Sequence, residues 1–334
     1  MHDHARTISE VHAQFRSGEL TPHELLERCL ARIDARESAV QAWVSVDHEG
    51  ARRLAEQQTL ALSALGNQLP ALFGVPVGVK DIVDVAGWPT QAGSTLRAEH
   101  RAERDAPVVA RLRAAGAIIL GKTVTTQFAS FDPSVTRNPW NLGRTPGGSS
   151  SGSAAAVASG MCVAAIGTQT GGSIVRPASY CGVVGFKPSY GAVPLEGVVP
   201  LSPSIDHVGT IARNVPDAAR LFGAISNEQT TAPVNGDKSL KLGVLRDFFC
   251  DAAEPESRAI FDAVLVHLEN ALGEIDDVQL GGDIAEVHAA HRIVMSFECA
   301  AYHRNDFAKR PDAYGPFISQ LIQDGLATSP VTYA

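Results

Sequence analysis

Three segments, Pro146-Gly-Gly-Ser-Ser-Ser-Gly-Ser153, Gly167-Thr-Gln-Thr-Gly-Gly-Ser-Ile-Val-Arg-Pro177 and Gly182-Val-Val-Gly-Phe-Lys-Pro188, follow one another in the middle of the chain. Glycine at this density marks backbone that visits dihedrals closed to other residues or approaches a ligand closely. The first two clusters therefore read as turns built around hydroxyls. Between them, Ser153 to Ile166 is small throughout, with Ala154, Ala155, Ala156, Ala158, Gly160, Ala164 and Ala165, the pattern of a tightly packed buried helix. A buried helix between two polar turns would bring those turns together, so that serines distant in the chain share one site.

The composition is that of an ordinary globular enzyme. At 334 residues the chain can bury a large core, and a prior of roughly 150 residues per domain allows two domains or one large α/β domain; we read one. Hydrophobic residues make up 45% and charged residues 19%, and the net charge of -8 argues against nucleic acid or an anionic membrane as partner. Met1 to Gly18 is polar and amphipathic, unlike a secretory leader, and no apolar run approaches the roughly 20 residues that span a bilayer, so a cytoplasmic location is expected. Cys29, Cys162, Cys181, Cys250 and Cys299 are odd in number and lack metal-type spacing, which predicts reduced, mostly buried thiols. Six lysines stand beside 22 arginines, and Lys80, Lys122 and Lys187 each sit alone in apolar, Gly-rich sequence. A lysine that loses its proton on burial is a candidate base.

Thr21-Pro22-His23-Glu24 is a capping box with proline at the first helical position and predicts a helix to about Arg36. Gln41 to Asp47 reads as a strand and Gly50 to Ala64 as a helix. Leu72 to Val85 predicts a buried strand ending near Lys80 and returning as a hairpin through Val83 and Val85. A helix after Pro107 leads to a second buried strand, Ala117 to Leu120, closed by Gly121-Lys122-Thr123. Helix then strand, repeated, means α/β architecture. Past Pro188, short strands and turns are expected up to Asp206-His207-Val208-Gly209-Thr210, then a helix from Val215 to Ser226. Asn227 to Lys238 reads as a linker, Leu240 to Leu245 as a strand, and Glu254 to Ala271 and Ile284 to Phe307 as long helices. Ser329-Pro330 is a helix start signal four residues before the last.

Several motifs are weighed against simpler explanations. Gly116 to Thr123 fits the Walker A pattern, but its four intervening residues are a predicted strand where a phosphate-cradling loop is required. Gly148-Ser149-Ser150-Ser151-Gly152 matches a nucleophile elbow with Ser150 as nucleophile, yet an Asn/Pro/Gly loop precedes it instead of a strand. Of the later histidines, only His207 lies in a turn of the kind that carries catalysis. Glu286, His288 and His291 share a helix without a third ligand at sensible spacing. What remains is serines and an isolated lysine: a hydroxyl needs a base, and Lys80, between Val77, Val79, Ile82 and Val83, is the best one available.

Taken together, these segments and Gly78-Val-Lys-Asp81 resemble the amidase signature family, in the family's order and over at least Pro22 to Phe222. The resemblance implies an α/β fold with a mixed central sheet covered by helices on both faces. It also implies Ser173 as nucleophile, Lys80 as base, and Ser149, after a cis peptide, as relay between them. Backbone N–H groups of Thr170, Gly171, Gly172 and Ser173 would form the oxyanion hole, where losing one donor typically costs about 10²- to 10³-fold in rate. No metal or organic cofactor is implied. The expected partner is a small-molecule amide, with no nucleic acid or membrane and with a homodimer allowed.

Two departures qualify the resemblance. Gln169 stands where many members have aspartate, and Arg176 lies three past Ser173, a pattern most like the malonamidase branch. On that reading Arg176 and Gln169 are substrate-binding residues for a carboxylated amide such as malonamate; the alternative is an arginine that pins the loop through backbone carbonyls. The family also runs beyond the point where this chain ends, so part of its C-terminal portion is expected to be lacking. The expected layout is an N-terminal helical layer at 1–70, a catalytic core at 71–226 and an incomplete helical segment at 240–334. An alternative is thus a truncated, catalytically impaired amidase-like protein or binding module, and a third is the amidase subunit of an amidotransferase.

Overall fold

Two capping boxes open the chain. Thr7 and Glu10 start α1 (Ile8–Ser17), and Thr21 and Glu24 start α2 (Pro22–Val40), each threonine accepting from the backbone three residues on while the glutamate reaches back to the cap N–H. The second is the helix expected from Pro22; the first carries the same signature within the amphipathic N-terminal segment. The computed structural model describes residues 7–66, 68–227, 241–246 and 249–334. After α2 come β1 (Trp43–Val46), α3 (His48–Leu65), β2 (Pro76–Lys80), α4 (Pro107–Ala114), β3 (Ile118–Thr123), α5 (Ser151–Ala158), β4 (Ala164–Gln169), α6 (Val175–Cys181), β5 (Val184–Phe186), β6 (His207–Ala212) and α7 (Val215–Ile225).

The six strands form one mixed sheet in the order β1-β3-β2-β4-β6-β5. β2 and β4 lie at its centre and are parallel to each other, with Val77 opposite Ala164 and Val79 opposite Ile166; β3 is parallel to β2 on the other side. β6 runs antiparallel to β4, pairing Gln169 with His207. Central parallel strands are buried on both faces, and every residue of β2, β3 and β4 is buried. Helices flank the sheet: α5 packs against β2, β3, β4 and β6, α3 against β3, and α7 against β5 and β6.

The topology corrects two expectations. Leu72 to Val85 makes no hairpin, because both edges of β2 are taken by β3 and β4, and Val83 instead bridges to Val198. Ser153 to Ile166 is not one helix: α5 ends at Ala158, Gly160 takes φ 71, and the chain re-enters the sheet as β4. Small residues suit both halves, since helix and strand are packed closely together. Gly152 shows the closeness, because a Cβ there would lie 2.2 Å from the Ala42 carbonyl oxygen and 2.4 Å from Val124 N.

The chain divides into two units, Met1–Thr230 with Met295–Ala334, and Thr231–Val294. In the second, β7 (Gly243–Val244) and β8 (Asp276–Asp277) pair in parallel, α8 (Pro255–Leu272) has no buried residue, and α9 (Ile284–Lys309) begins. Apart from Asn227, the expected linker lies outside the described residues, as does Leu240 of the expected strand. The rest of α9 returns to the first unit with α10 (Pro316–Ala327) and α11 (Pro330–Tyr333), the last capped by Ser329 as its sequence signal required. There Asp132 accepts from the N–H groups of Phe317 and Ile318, and Gln127 bonds Ala313 O and Gly315 N. Among the described residues no helix is long and apolar enough to cross a membrane.

Candidate active site

Because β2 and β4 are parallel, Lys80 and Thr168 emerge at the same edge of the sheet, and the antiparallel β6 starts there with His207. Ligand sites in open α/β sheets lie at the carboxyl ends of parallel strands. Lys80 is fully buried, and its Nζ donates to Ser149 Oγ at 2.7 Å and to Thr168 Oγ1 at 2.8 Å. Burial holds its amine well below the ordinary lysine value, partly opposed by the negative charge of Asp206.

Ser149 follows a cis peptide bond from Gly148 and is fully buried, its carbonyl accepting from Thr126 N at 3.2 Å. Ser150 N donates to Ser173 O at 3.2 Å, which ties the first Gly/Ser turn to the second. Ser150 itself is spent on structure: its Oγ exchanges hydrogen bonds with the backbone of Thr168, in place of the nucleophile role an elbow would give it. Ser173 is 8% exposed at the surface end of this arrangement.

The turn from Thr170 to Ser173 is organised by side chains on both sides. Gln169 Oε1 accepts from Ile174 N at 2.8 Å and Val175 N at 3.0 Å, and its Nε2 donates to Gly171 O at 2.8 Å. All three bonds go to backbone between Gly171 and Val175, so Gln169 shapes the turn and the start of α6. The Thr170 hydroxyl donates to Asp206. Among the described residues, the N–H groups of Gly171, Gly172 and Ser173 donate to no protein group, which leaves them available to an oxygen beside Ser173. Arg176 is exposed, and its Nε and Nη2 donate to Gly148 O at 3.1 and 2.7 Å, clamping the turn that carries Ser149.

Of the other singled-out residues, His207 lies at the edge of this cluster and the rest lie apart from it. Lys122 is inside β3, so the Walker pattern is strand; its Nζ pairs with Asp81 Oδ1 at 2.9 Å and donates to Pro89 O and Thr90 Oγ1. Lys187 is half-buried and bonds Pro188 O. His207 bonds Gln169 O through Nδ1. Four cysteines are buried and Cys250 is half-buried, all as free thiols. Among the described residues no group of three His, Cys, Asp or Glu is placed to hold a metal, and Glu286, His288 and His291 are no exception. Sequence reading assigned no role to Thr168 or Asp206. Thr168 lies inside the quoted stretch and was detectable by its place before the turn; Asp206 reaches the site through strand pairing, for which spacing gives no signal.

Known proteins resemble this chain in sequence and fold. A family model described as Amidase matches residues 24–328. A glutamyl-tRNA(Gln) amidotransferase subunit from Roseiflexus sp. (strain RS-1) is 39% identical over 297 residues, covering 83% of this chain; the chain spans 61% of that relative's length. A crystal structure of an amidase superposes with a TM-score of 0.90 at 35% identity, covering 98% of this chain and 75% of its own. The peptide amidase of Stenotrophomonas maltophilia superposes with a TM-score of 0.82 at 28% identity, covering 99% and 77%. The chain belongs to the amidase signature family.

Proposed function

We propose that this chain hydrolyses a carboxamide to a carboxylate and ammonia through an acyl-enzyme on Ser173, with Ser149 and Lys80 as the proton relay. The observation that carries the reading is the fully buried contact of Lys80 Nζ with Ser149 Oγ at 2.7 Å, near the N–H groups of Gly171, Gly172 and Ser173, which among the described residues donate to no protein group. With the amine neutral, the Ser149 hydroxyl donates to Nζ and accepts from Ser173. Ser173 Oγ then bonds to the amide carbon, and the carbonyl electron pair moves to oxygen, held by the N–H groups of Gly171, Gly172 and Ser173, with Thr170 beside them. As the C–N bond breaks, the lysine's proton returns through Ser149 to the departing nitrogen and ammonia leaves. Water, activated by the same relay, cleaves the acyl ester and restores Ser173.

Two finer readings follow from particular observations. Arg176 would hold the free carboxylate of a substrate such as malonamate; its exposed guanidinium permits this, although two of its nitrogens are committed to Gly148 O. The likeness to an amidotransferase component favours a second reading, in which the ammonia is delivered to a partner protein. Gln169, whose bonds go to the turn and the start of α6, acts on substrate through that turn.

The test is ammonia release by the purified chain from malonamate, glutamine and neutral carboxamides. Ser173→Ala is expected to lose at least about 10³-fold in kcat/KM. Arg176→Ala should raise KM for malonamate alone if the arginine binds carboxylate, and lower kcat on all amides if it only clamps the Ser149 turn. A cooperatively folded chain that releases no ammonia, or a Ser173→Ala variant as active as its parent, refutes the hydrolase reading and favours a binding module.

A further inference from the structure

Asp206 lies immediately before β6 and is almost fully buried, yet among the described residues it makes no ion pair. Its carboxyl receives three hydrogen bonds: one from the Thr170 hydroxyl on Oδ1, and two on Oδ2 from Leu201 N at 2.9 Å and Ser202 N at 3.0 Å. Backbone N–H groups can only donate, so Oδ2 is held as an acceptor; burial raises the carboxyl above its ordinary value, and the bonds from Thr170, Leu201 and Ser202, with the charge of Lys80, oppose that shift. Asp206 lines a small cavity together with Thr168, Thr170, His207, Ile82 and Val199, and Thr168 is itself bonded to Lys80.

We propose that Asp206 is a positioning residue that couples the two halves of the site: its carboxylate anchors Thr170 at the head of the oxyanion turn and sets a fixed negative charge beside the buried Lys80 amine. The inference rests on the Lys80 relay proposed above. The other titratable groups nearby are otherwise engaged. Asp81, next to Lys80 in the chain, is paired with Lys122 of β3, and His207 bonds Gln169 O. The Cys299 thiol of α9 is pushed up to about 12, chiefly by burial and further by Asp206, and so stays neutral. A negative charge beside the amine favours the protonated form, which offsets part of the burial. This suits a base that must both take a proton and hold it until the amine leaving group is ready.

The experiment follows the Lys80 side chain directly, by NMR titration of protein labelled with 13C at lysine Cε and assigned with Lys80→Met. In Asp206→Asn the Lys80 midpoint is expected to move to lower pH, because a favourable charge is gone. In Thr170→Val the charge remains, so the midpoint stays while kcat falls about 10-fold or more with KM little changed, through loss of the turn's anchor. Asp206→Ser also removes the charge and stands in if Asp206→Asn does not fold; Asp206→Glu should restore the midpoint. An unchanged Lys80 midpoint in folded charge-removing variants overturns the proposal, as does full kcat in Thr170→Val. The titration needs no turnover, so failure of the hydrolase reading would appear separately, as wild-type protein that titrates as expected yet releases no ammonia.

Discussion

Replacing Lys122 by methionine isolates what the buried Asp81–Lys122 pair contributes. Both side chains are 1% exposed, and Lys122 Nζ lies 2.9 Å from Asp81 Oδ1, 3.0 Å from Pro89 O and 3.1 Å from Thr90 Oγ1. Burial raises the Asp81 carboxyl and lowers the Lys122 amine from their ordinary values, and the mutual attraction opposes both shifts. Methionine conserves most of the volume but removes the charge and leaves the Asp81 carboxylate without its cation. Breaking such a pair costs roughly 3–5 kcal/mol. That is a large share of the roughly 5–15 kcal/mol that typically holds a domain together. With Tm falling roughly 2–4 °C per kcal/mol in larger domains, a drop on the order of 10 °C is expected. Urea unfolding of Lys122→Met, Asp81→Leu and the double variant provides the assay. Each single variant should lose several kcal/mol, and the double should recover most of it, because an apolar pair leaves no uncompensated charge. A loss under about 1 kcal/mol in Lys122→Met, with no coupling in the cycle, would refute the reasoning, since it would mean that water reaches the pair and screens it.

Gly152→Ala should destabilise the protein by at least about 1–3 kcal/mol in thermal unfolding, because the new Cβ meets backbone of Ala42 and Val124 that the sheet holds in place. A neutral result would show that α5 can move off the sheet. Glu298 is the pH test: burial would raise its carboxyl, but hydrogen bonds from Ser202 Oγ at 2.6 Å, Ser204 N at 3.1 Å and Tyr333 OH at 2.7 Å bring it below the ordinary value. A depressed folded pKa contributes stability that is present above the unfolded value of 4.5 and is lost as pH falls through the folded one. The stability gap between wild type and Glu298→Gln should therefore be full at neutral pH and shrink in acid, and a gap independent of pH would sink the assignment.

The helices α2 and α3, the buried strands β2 and β3 and the Gly/Ser-rich stretch were legible in the sequence because their signals are local. A capping box is four residues long, as in Thr21 to Glu24, and the small residues around Ser149 and Ser173 are needed where backbone approaches backbone. Even here periodicity failed between Ser153 and Ile166, where alanine and glycine suit a packed helix and a central strand equally, and only Gly160 marks the break. The hairpin after Lys80 failed for a different reason: whether a strand returns on itself depends on which neighbours have already taken its edges. The sequence alone therefore determined the residue types available for chemistry, a lone lysine among apolar residues and serines among glycines. Tertiary structure decided which of those groups meet. Parallel pairing of β2 with β4 sets Lys80 beside Thr168, and antiparallel pairing of β4 with β6 carries Asp206 to Thr170. Such meetings depend on strand order and register, which arise from contacts between segments far apart in the chain and leave no mark on any one of them.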